Sequence, residues 1–77
     1  MIGLEHEKFK SSLENRLQNY GVILDAEQPE DGIRFMGMGN KRRATVDYPD
    51  TLTDENMDDE VEKAVKTIFV TLRNGGE

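Results

Sequence analysis

The 77-residue sequence contains no cysteine and no tryptophan, and it has one histidine and two prolines. Without cysteine the chain can form neither a disulfide nor a thiolate metal site, and it has no cysteine nucleophile. No apolar run approaches the roughly 20 residues that a membrane-spanning helix needs. The first ten residues show no secretion signal. We therefore expect a cytoplasmic protein that does not contact a membrane.

The composition is divided almost equally between apolar residues (35%) and charged residues (34%). A chain of this length forms one domain with a small core and marginal stability. We predict a single α+β domain over residues 1–77, and we expect Gly75 to Glu77 to fray at its end.

Hydrophobic periodicity predicts five elements in the order α-β-β-β-α. Apolar residues at steps of three and four indicate a first helix over residues 4–20. They indicate a last helix after Pro49, which Thr51 or Thr53 would cap. Alternating patterns predict strands at 22–26, 33–38 and 42–48, joined by a turn at 28–32 and a two-residue turn at Gly39-Asn40. The expected architecture is a three-stranded antiparallel meander sheet with two helices packed on one face.

The pairing of the second and third strands can be derived from their side chains. If Gly39-Asn40 forms the turn, Phe35 faces Ala44 and Ile33 faces Val46, and these four residues share one face. A slip of one residue would destroy this segregation. Val22, Leu24 and Ala26 of the first strand are expected on the same face. The predicted core comprises Phe9, Leu13, Leu17, Leu24, Ile33, Phe35, Val46, Val61, Val65, Ile68 and Leu72.

Charge is distributed unevenly along the chain. Residues 47–62 carry eight of the sixteen acids and no lysine or arginine, whereas the net charge of the whole chain is −6. Six of these acids crowd the predicted start of the last helix: Asp54, Glu55, Asp58, Asp59, Glu60 and Glu62. Their spacing is about one charge per 2 Å of helix, which is close to the roughly one per 1.7 Å of duplex DNA. This density is typical of a surface that binds a basic partner or mimics DNA.

The same acids also have a purely structural interpretation. Acidic residues in a first turn stabilise a helix through its macrodipole. Asp59 with Lys63, and Glu62 with Lys66, have the i,i+4 spacing of favourable ion pairs.

A second candidate surface is the face of the sheet that the helices leave open. It is expected to carry methionines among basic residues: Arg34, Met36, Met38, Lys41, Arg42 and Arg43. Such a face favours a nucleic-acid-binding module as the alternative function. The element order is shared with double-stranded-RNA-binding domains, but their last helix is basic, whereas this one begins with acids. A third possibility is a structural homo-oligomer, in which the acidic helix of one copy meets the basic hairpin of another.

The sequence does not favour an enzyme. His6 lies on the apolar stripe of the first helix, where we expect it to pack. The series Asp54, Asn56, Asp58 resembles the opening of a calcium loop, but Asp59 and Val65 stand where that loop needs glycine and glutamate. We predict no catalytic, cofactor-binding or metal-binding residue.

The leading interpretation is a small acidic protein-binding regulator or inhibitor. It would engage a basic surface of a target protein, for example a nucleic-acid-binding cleft, through the six acids at the start of the last helix. In size and charge the chain resembles phage-encoded inhibitors of host nucleases and of CRISPR or restriction systems.

Overall fold

A computed structural model describes residues 3–28 and 32–77 and confirms the predicted element order. The elements are α1 (Leu4–Gln18), β1 (Val22–Gln28), β2 (Gly32–Gly37), β3 (Arg43–Val46) and α2 (Met57–Arg73). The strands form one antiparallel sheet in the order β1-β2-β3, which is the predicted meander. The predicted turn residues 29–31, and Ile2 before the first helix, lie outside the described residues. Neither helix in the described ranges has the length and apolar character needed to cross a bilayer.

Both helices pack against one face of the sheet and against each other. The core draws on all five elements and includes Phe9, Leu13, Leu17, Val22, Ile33, Phe35, Ala44, Val46, Met57, Val61, Ala64, Val65, Ile68 and Leu72. Of the predicted core only Leu24 is half-buried, at the margin of this cluster. The apolar stripes therefore identified the faces that pack.

Helix α1 ends two residues earlier than predicted. The backbone N–H of Tyr20 bonds the carbonyl of Leu17, and Gly21 then takes a positive φ of 75°. Glycine tolerates this left-handed conformation, so the chain can turn into β1. Tyr20 consequently leaves the apolar stripe and is 69% exposed, with its ring edge-on to Phe69 at 5.2 Å.

Helix α2 begins at Met57, later than the predicted cap at Thr51 or Thr53. Thr53 and Asn56 bond reciprocally: the Thr53 N–H donates to Asn56 Oδ1 (2.8 Å), and the Asn56 N–H donates to Thr53 Oγ1 (3.2 Å). These bonds close a turn before the helix, because threonine and asparagine side chains compete with helical backbone bonds. Asp54 and Glu55 therefore lie in this turn, outside the first turn of α2.

Strand β1 contains a β-bulge that the alternation of side chains did not predict. Its register against β2 shifts between Leu24 and Ala26. The extra residue, Asp25, reverses the side-chain alternation beyond it. Ala26 thus lies opposite Arg34 and away from the core face, which corrects its predicted position. Glu27 lies opposite Ile33 and is turned toward the helices.

The β2–β3 pairing matches the predicted register, but its loop does not. Phe35 lies opposite Ala44, and Ile33 lies opposite Val46. The Gly37 N–H bonds the Arg42 carbonyl, and the Lys41 N–H bonds the Gly37 carbonyl, both at 2.9 Å. The loop therefore spans 38–41, and the predicted two-residue turn is wrong. Its left-handed residue is Lys41, with a φ of 59°.

The segment 75–77, which was expected to fray, runs along the outer edge of β3. The Glu77 N–H bonds the Arg43 carbonyl at 2.8 Å. The Glu77 carboxylate accepts hydrogen bonds from the Thr45 N–H (2.8 Å) and from its hydroxyl (2.9 Å). These bonds cover part of the unpaired backbone that an edge strand presents.

Candidate protein-binding site

The six predicted binding acids, hereafter the acidic surface, occupy the turn before α2 and its first two turns. Asp54 and Glu55 lie in the turn, whereas the helix carries Asp58, Asp59, Glu60 and Glu62. The acids of the first helical turn lie beside the unpaired N–H groups of the helix start, so the macrodipole stabilises their charges. This accounts for part of the cluster without a partner.

Three members of the acidic surface already have a cation within the chain. Glu62 Oε2 lies 2.6 Å from Arg16 Nη2. Glu60 Oε1 lies 3.3 Å from Lys63 Nζ, and Asp54 Oδ1 lies 3.3 Å from Lys8 Nζ. The predicted pairs of Asp59 with Lys63 and of Glu62 with Lys66 do not form. Lys63 pairs with Glu60, and Glu62 instead connects α2 to α1.

The remaining three members of the acidic surface, Glu55, Asp58 and Asp59, are exposed. Within the described part of the chain none of them has an ion-pair partner. Asp47 and Asp50, in the segment after β3, are also exposed, and neither has an ion-pair partner among the described residues. Although both belong to the acidic stretch, the predicted site omitted them because they precede the helix. Of the eight acids between residues 47 and 62, five thus have no ion-pair partner among the described residues.

A groove of about 480 Å³ separates helix α2 from the end of β3 and the segment that follows it. One wall consists of residues 45–50, and the other consists of Glu60, Lys63, Ala64 and Thr67, with Phe9 at the base. The groove therefore combines apolar side chains with three carboxylates and one ammonium group. In residues 3–28 and 32–77, no three His, Asp or Glu side chains converge closely enough to hold a metal ion.

Tyr48, in the wall of this groove, is held by a polar cluster that the bulge creates. Its hydroxyl donates to Glu27 Oε1 (3.2 Å), and Lys10 Nζ donates to Glu27 Oε2 (2.8 Å). The ring of His6 lies edge-on to Tyr48 at 4.7 Å, so His6 packs as predicted. No pattern in the sequence indicated this cluster, because Glu27 faces the helices only as a result of the bulge.

The cluster shifts the pKa of each of its ionisable members. The hydrogen bond to Glu27 raises the pKa of Lys10, although partial burial opposes this effect. The hydrogen bond from Lys10 lowers the pKa of Glu27. Burial, followed by the charge of Glu27, raises the pKa of Tyr48 to about 12. Tyr48 therefore stays neutral, and its hydroxyl stays a donor, at physiological pH.

The basic residues of the alternative surface are largely engaged within the chain. Asp25, the bulge residue, accepts from Arg34 Nε at 2.7 Å and from Arg43 Nε at 3.2 Å. Arg42 Nη1 donates to the Leu72 carbonyl at 3.0 Å, near the carboxyl end of α2. Residues 3–28 and 32–77 provide no ion pair for the fourth cation, Lys41. Asp25 thus offsets part of the positive charge of the open face.

The alternative surface is also less continuous than predicted. Met36 is half-buried on β2, whereas Met38 is 62% exposed in the loop. The Met38 N–H bonds the Gly21 carbonyl at 2.8 Å, which turns the loop toward the start of β1. Arg34, Met36 and Arg43 share the sheet, whereas Met38 and Lys41 belong to the loop.

Comparison with protein-family models, with curated proteins and with solved structures finds no match for this chain. Its function is therefore inferred from the chemistry of its own residues.

Proposed function

We propose that this chain is a small protein-binding regulator or inhibitor that docks its acidic surface, together with the neighbouring Asp47 and Asp50, on a basic surface of a target protein. One observation carries the proposal: five exposed carboxylates near the start of α2 have no cation within the described residues. They are Asp47, Asp50, Glu55, Asp58 and Asp59. Unneutralised charge of one sign attracts a complementary surface, steers its approach and disfavours partners of like charge.

The contrast with the open sheet face supports the choice of this surface. There a carboxylate of the chain already bonds two of the guanidinium groups. With a net charge of −6, the chain as a whole also repels phosphates. A basic protein therefore fits the charge distribution better than a nucleic acid does.

The ion pairs narrow the kind of target that the proposal supports. Asp54, Glu60 and Glu62 are each paired with a base of the chain, so half of the predicted charge is offset. The remaining carboxylates no longer follow the helix at the charge spacing of DNA. The support is thus for a cationic protein surface in general, with a nucleic-acid-binding cleft as one instance.

Capture from a lysate of the native host tests the proposal. The tagged protein is incubated with lysate at low salt, and the proteins that a salt step releases are identified by mass spectrometry. The released target is then titrated with the wild-type protein and with Asp58→Asn/Asp59→Asn. If each carboxylate contributes about 0.5–1 kcal/mol, the affinity should fall roughly 5- to 30-fold.

The matched control is Glu5→Gln/Glu14→Gln, which removes two charges from α1. Neither residue has an ion pair within the described residues. If the control weakens binding as much as the Asp58/Asp59 variant, net charge alone is responsible and the proposed surface is wrong. Sedimentation of the protein alone at low salt shows whether a second copy competes for the acidic surface.

A further inference from the structure

We propose that the groove between residues 45–50 and α2 seats an arginine side chain of the target protein. The inference rests on the proposed function and names the chemical group that the acidic surface recognises. The groove adjoins the acidic surface because Glu60 belongs to both. At about 480 Å³ it has the volume typical of a ligand pocket.

One wall of the groove suits the aliphatic stem of a long cationic side chain. Tyr48 and Pro49 line it and are only half-buried, so part of their apolar surface is accessible, whereas Phe9, Val46 and Ala64 are buried. Arginine and lysine bury their methylene groups on such surfaces while the charged head stays in water. A short polar side chain would cover less of this apolar wall.

The charges at the rim favour a cation. Asp47 and Asp50 come from one wall, and Glu60 comes from the other. The one ammonium group of the lining, on Lys63, is paired with Glu60 at 3.3 Å. Asp47 and Asp50 are therefore left to accept hydrogen bonds from an incoming cation.

Tyr48 distinguishes arginine from lysine as the occupant. Its hydroxyl is bonded to Glu27 and its ring packs on His6, so the wall is fixed before any partner arrives. A planar guanidinium group can stack on such a ring and still donate to more than one carboxylate. The compact ammonium of lysine lacks this plane.

A short amidated peptide of alternating glycine and arginine serves as the probe. Its binding is followed at low salt through the backbone amide resonances of the full chain. We expect the largest shifts at 45–50 and 60–67, and small shifts at 55–59. The same peptide with lysine in place of arginine should bind more weakly, by a factor of roughly three or more.

Two double variants of equal net charge locate the binding. Asp47→Asn/Asp50→Asn removes two charges at the groove, and Asp58→Asn/Asp59→Asn removes two outside it. The first double variant should lower the affinity for the peptide about tenfold, and the second should lower it less than about threefold. Equal weakening by both double variants would overturn the groove but leave the acidic surface as the proposed site.

A substitution that fills the groove without changing charge gives an independent test. Thr67 lines the groove and is exposed on α2, so Thr67→Met should fold and occupy the space. This substitution should lower the affinity for the arginine peptide about tenfold. Thr71→Met, one turn further along α2 and outside the groove, should leave binding unchanged.

Three outcomes would refute the groove as an arginine site. They are unchanged affinity for the Thr67→Met variant, equal affinity for spermidine and the peptide, and absence of peptide binding at low salt. In each case the capture experiment still decides the proposed function, because it measures a whole target protein and tests Asp58 and Asp59.

Discussion

Replacing Glu27 by glutamine tests how the bulge in β1 stabilises the fold. Glu27 accepts from Lys10 at 2.8 Å, and their side chains are only 20% and 19% exposed. It also accepts from Tyr48 at 3.2 Å. Glutamine has nearly the same shape, but its single amide oxygen can accept only one of these two hydrogen bonds, and its NH2 group then faces the other donor. The change therefore removes the charge and one accepted hydrogen bond of the cluster together.

The expected loss of stability depends on how little of this ion pair is exposed to solvent. Fully exposed ion pairs contribute about 0.2–1 kcal/mol, whereas hydrogen bonds to charged groups contribute about 1.5–3 kcal/mol. For a pair of intermediate exposure we expect Glu27→Gln to lower the free energy of unfolding by about 1 kcal/mol. In a domain of this size that corresponds to a fall of about 4–8 °C in Tm.

The pH dependence of the free energy of unfolding shows in which direction the charge of Glu27 acts. The pKa of Glu27 is lowered in the folded state from its usual 4.5. Its stabilising contribution is therefore complete above pH 4.5, and it is lost as the pH falls through the lowered folded pKa. The wild-type protein and the variant should differ at neutral pH and converge in strong acid.

Urea denaturation at several pH values measures both effects. Glu55→Gln is the matched control, because Glu55 is exposed and has no ion pair within residues 3–28 and 32–77. The control should stay within about 0.5 kcal/mol of the wild type. A double-mutant cycle with Lys10→Met should give a coupling energy near 1 kcal/mol. Additive effects of the two substitutions would refute the reasoning.

Three further predictions concern the fold. Ile68→Ala, at a fully buried site, should cost about 2–5 kcal/mol in urea denaturation; an unchanged midpoint would contradict the core. Gly32→Ala should cost roughly 1–3 kcal/mol, because Gly32 has a φ of 97° and the added Cβ would meet the Val46 carbonyl oxygen. Tyr20→Phe leaves Tyr48 as the single tyrosine; its phenolate absorbance should rise near pH 12, and stability should fall between pH 10 and 12. Ionisation of Tyr48 near pH 10 in the folded protein would refute its burial.

The paired hairpin and the stripe of α2 could be predicted because one local pattern determines each. Alternation places Ile33 and Phe35 on one face whatever the loop between the strands. The loop itself could not be predicted in the same way. The Asn40 side chain bonds the Arg42 N–H at 2.9 Å, and the left-handed residue is Lys41, whereas the sequence pointed to Gly39.

The bulge at Asp25 could not be predicted from the sequence. The residues on either side of it are acceptable on both faces of the sheet, so an extra residue does not visibly disturb the alternation of side chains. Its consequences are large: Asp25 bonds two arginines on the open face, and Glu27 reaches Lys10 on the helix side. The acidic surface was visible as a charge run, but its pairing was not. Glu62 meets Arg16 through the packing of α1 against α2, which no local spacing reveals.

The central claim is that unneutralised carboxylates near the start of α2 bind a cationic protein surface. The most direct test is calorimetric titration of the captured target with a variant that carries Asn in place of Asp47, Asp50, Asp58 and Asp59. If each carboxylate contributes about 0.5–1 kcal/mol, the affinity at low salt should fall at least roughly 30-fold. The difference from the wild type should shrink as salt is raised. A variant that binds as tightly as the wild-type protein would contradict the account.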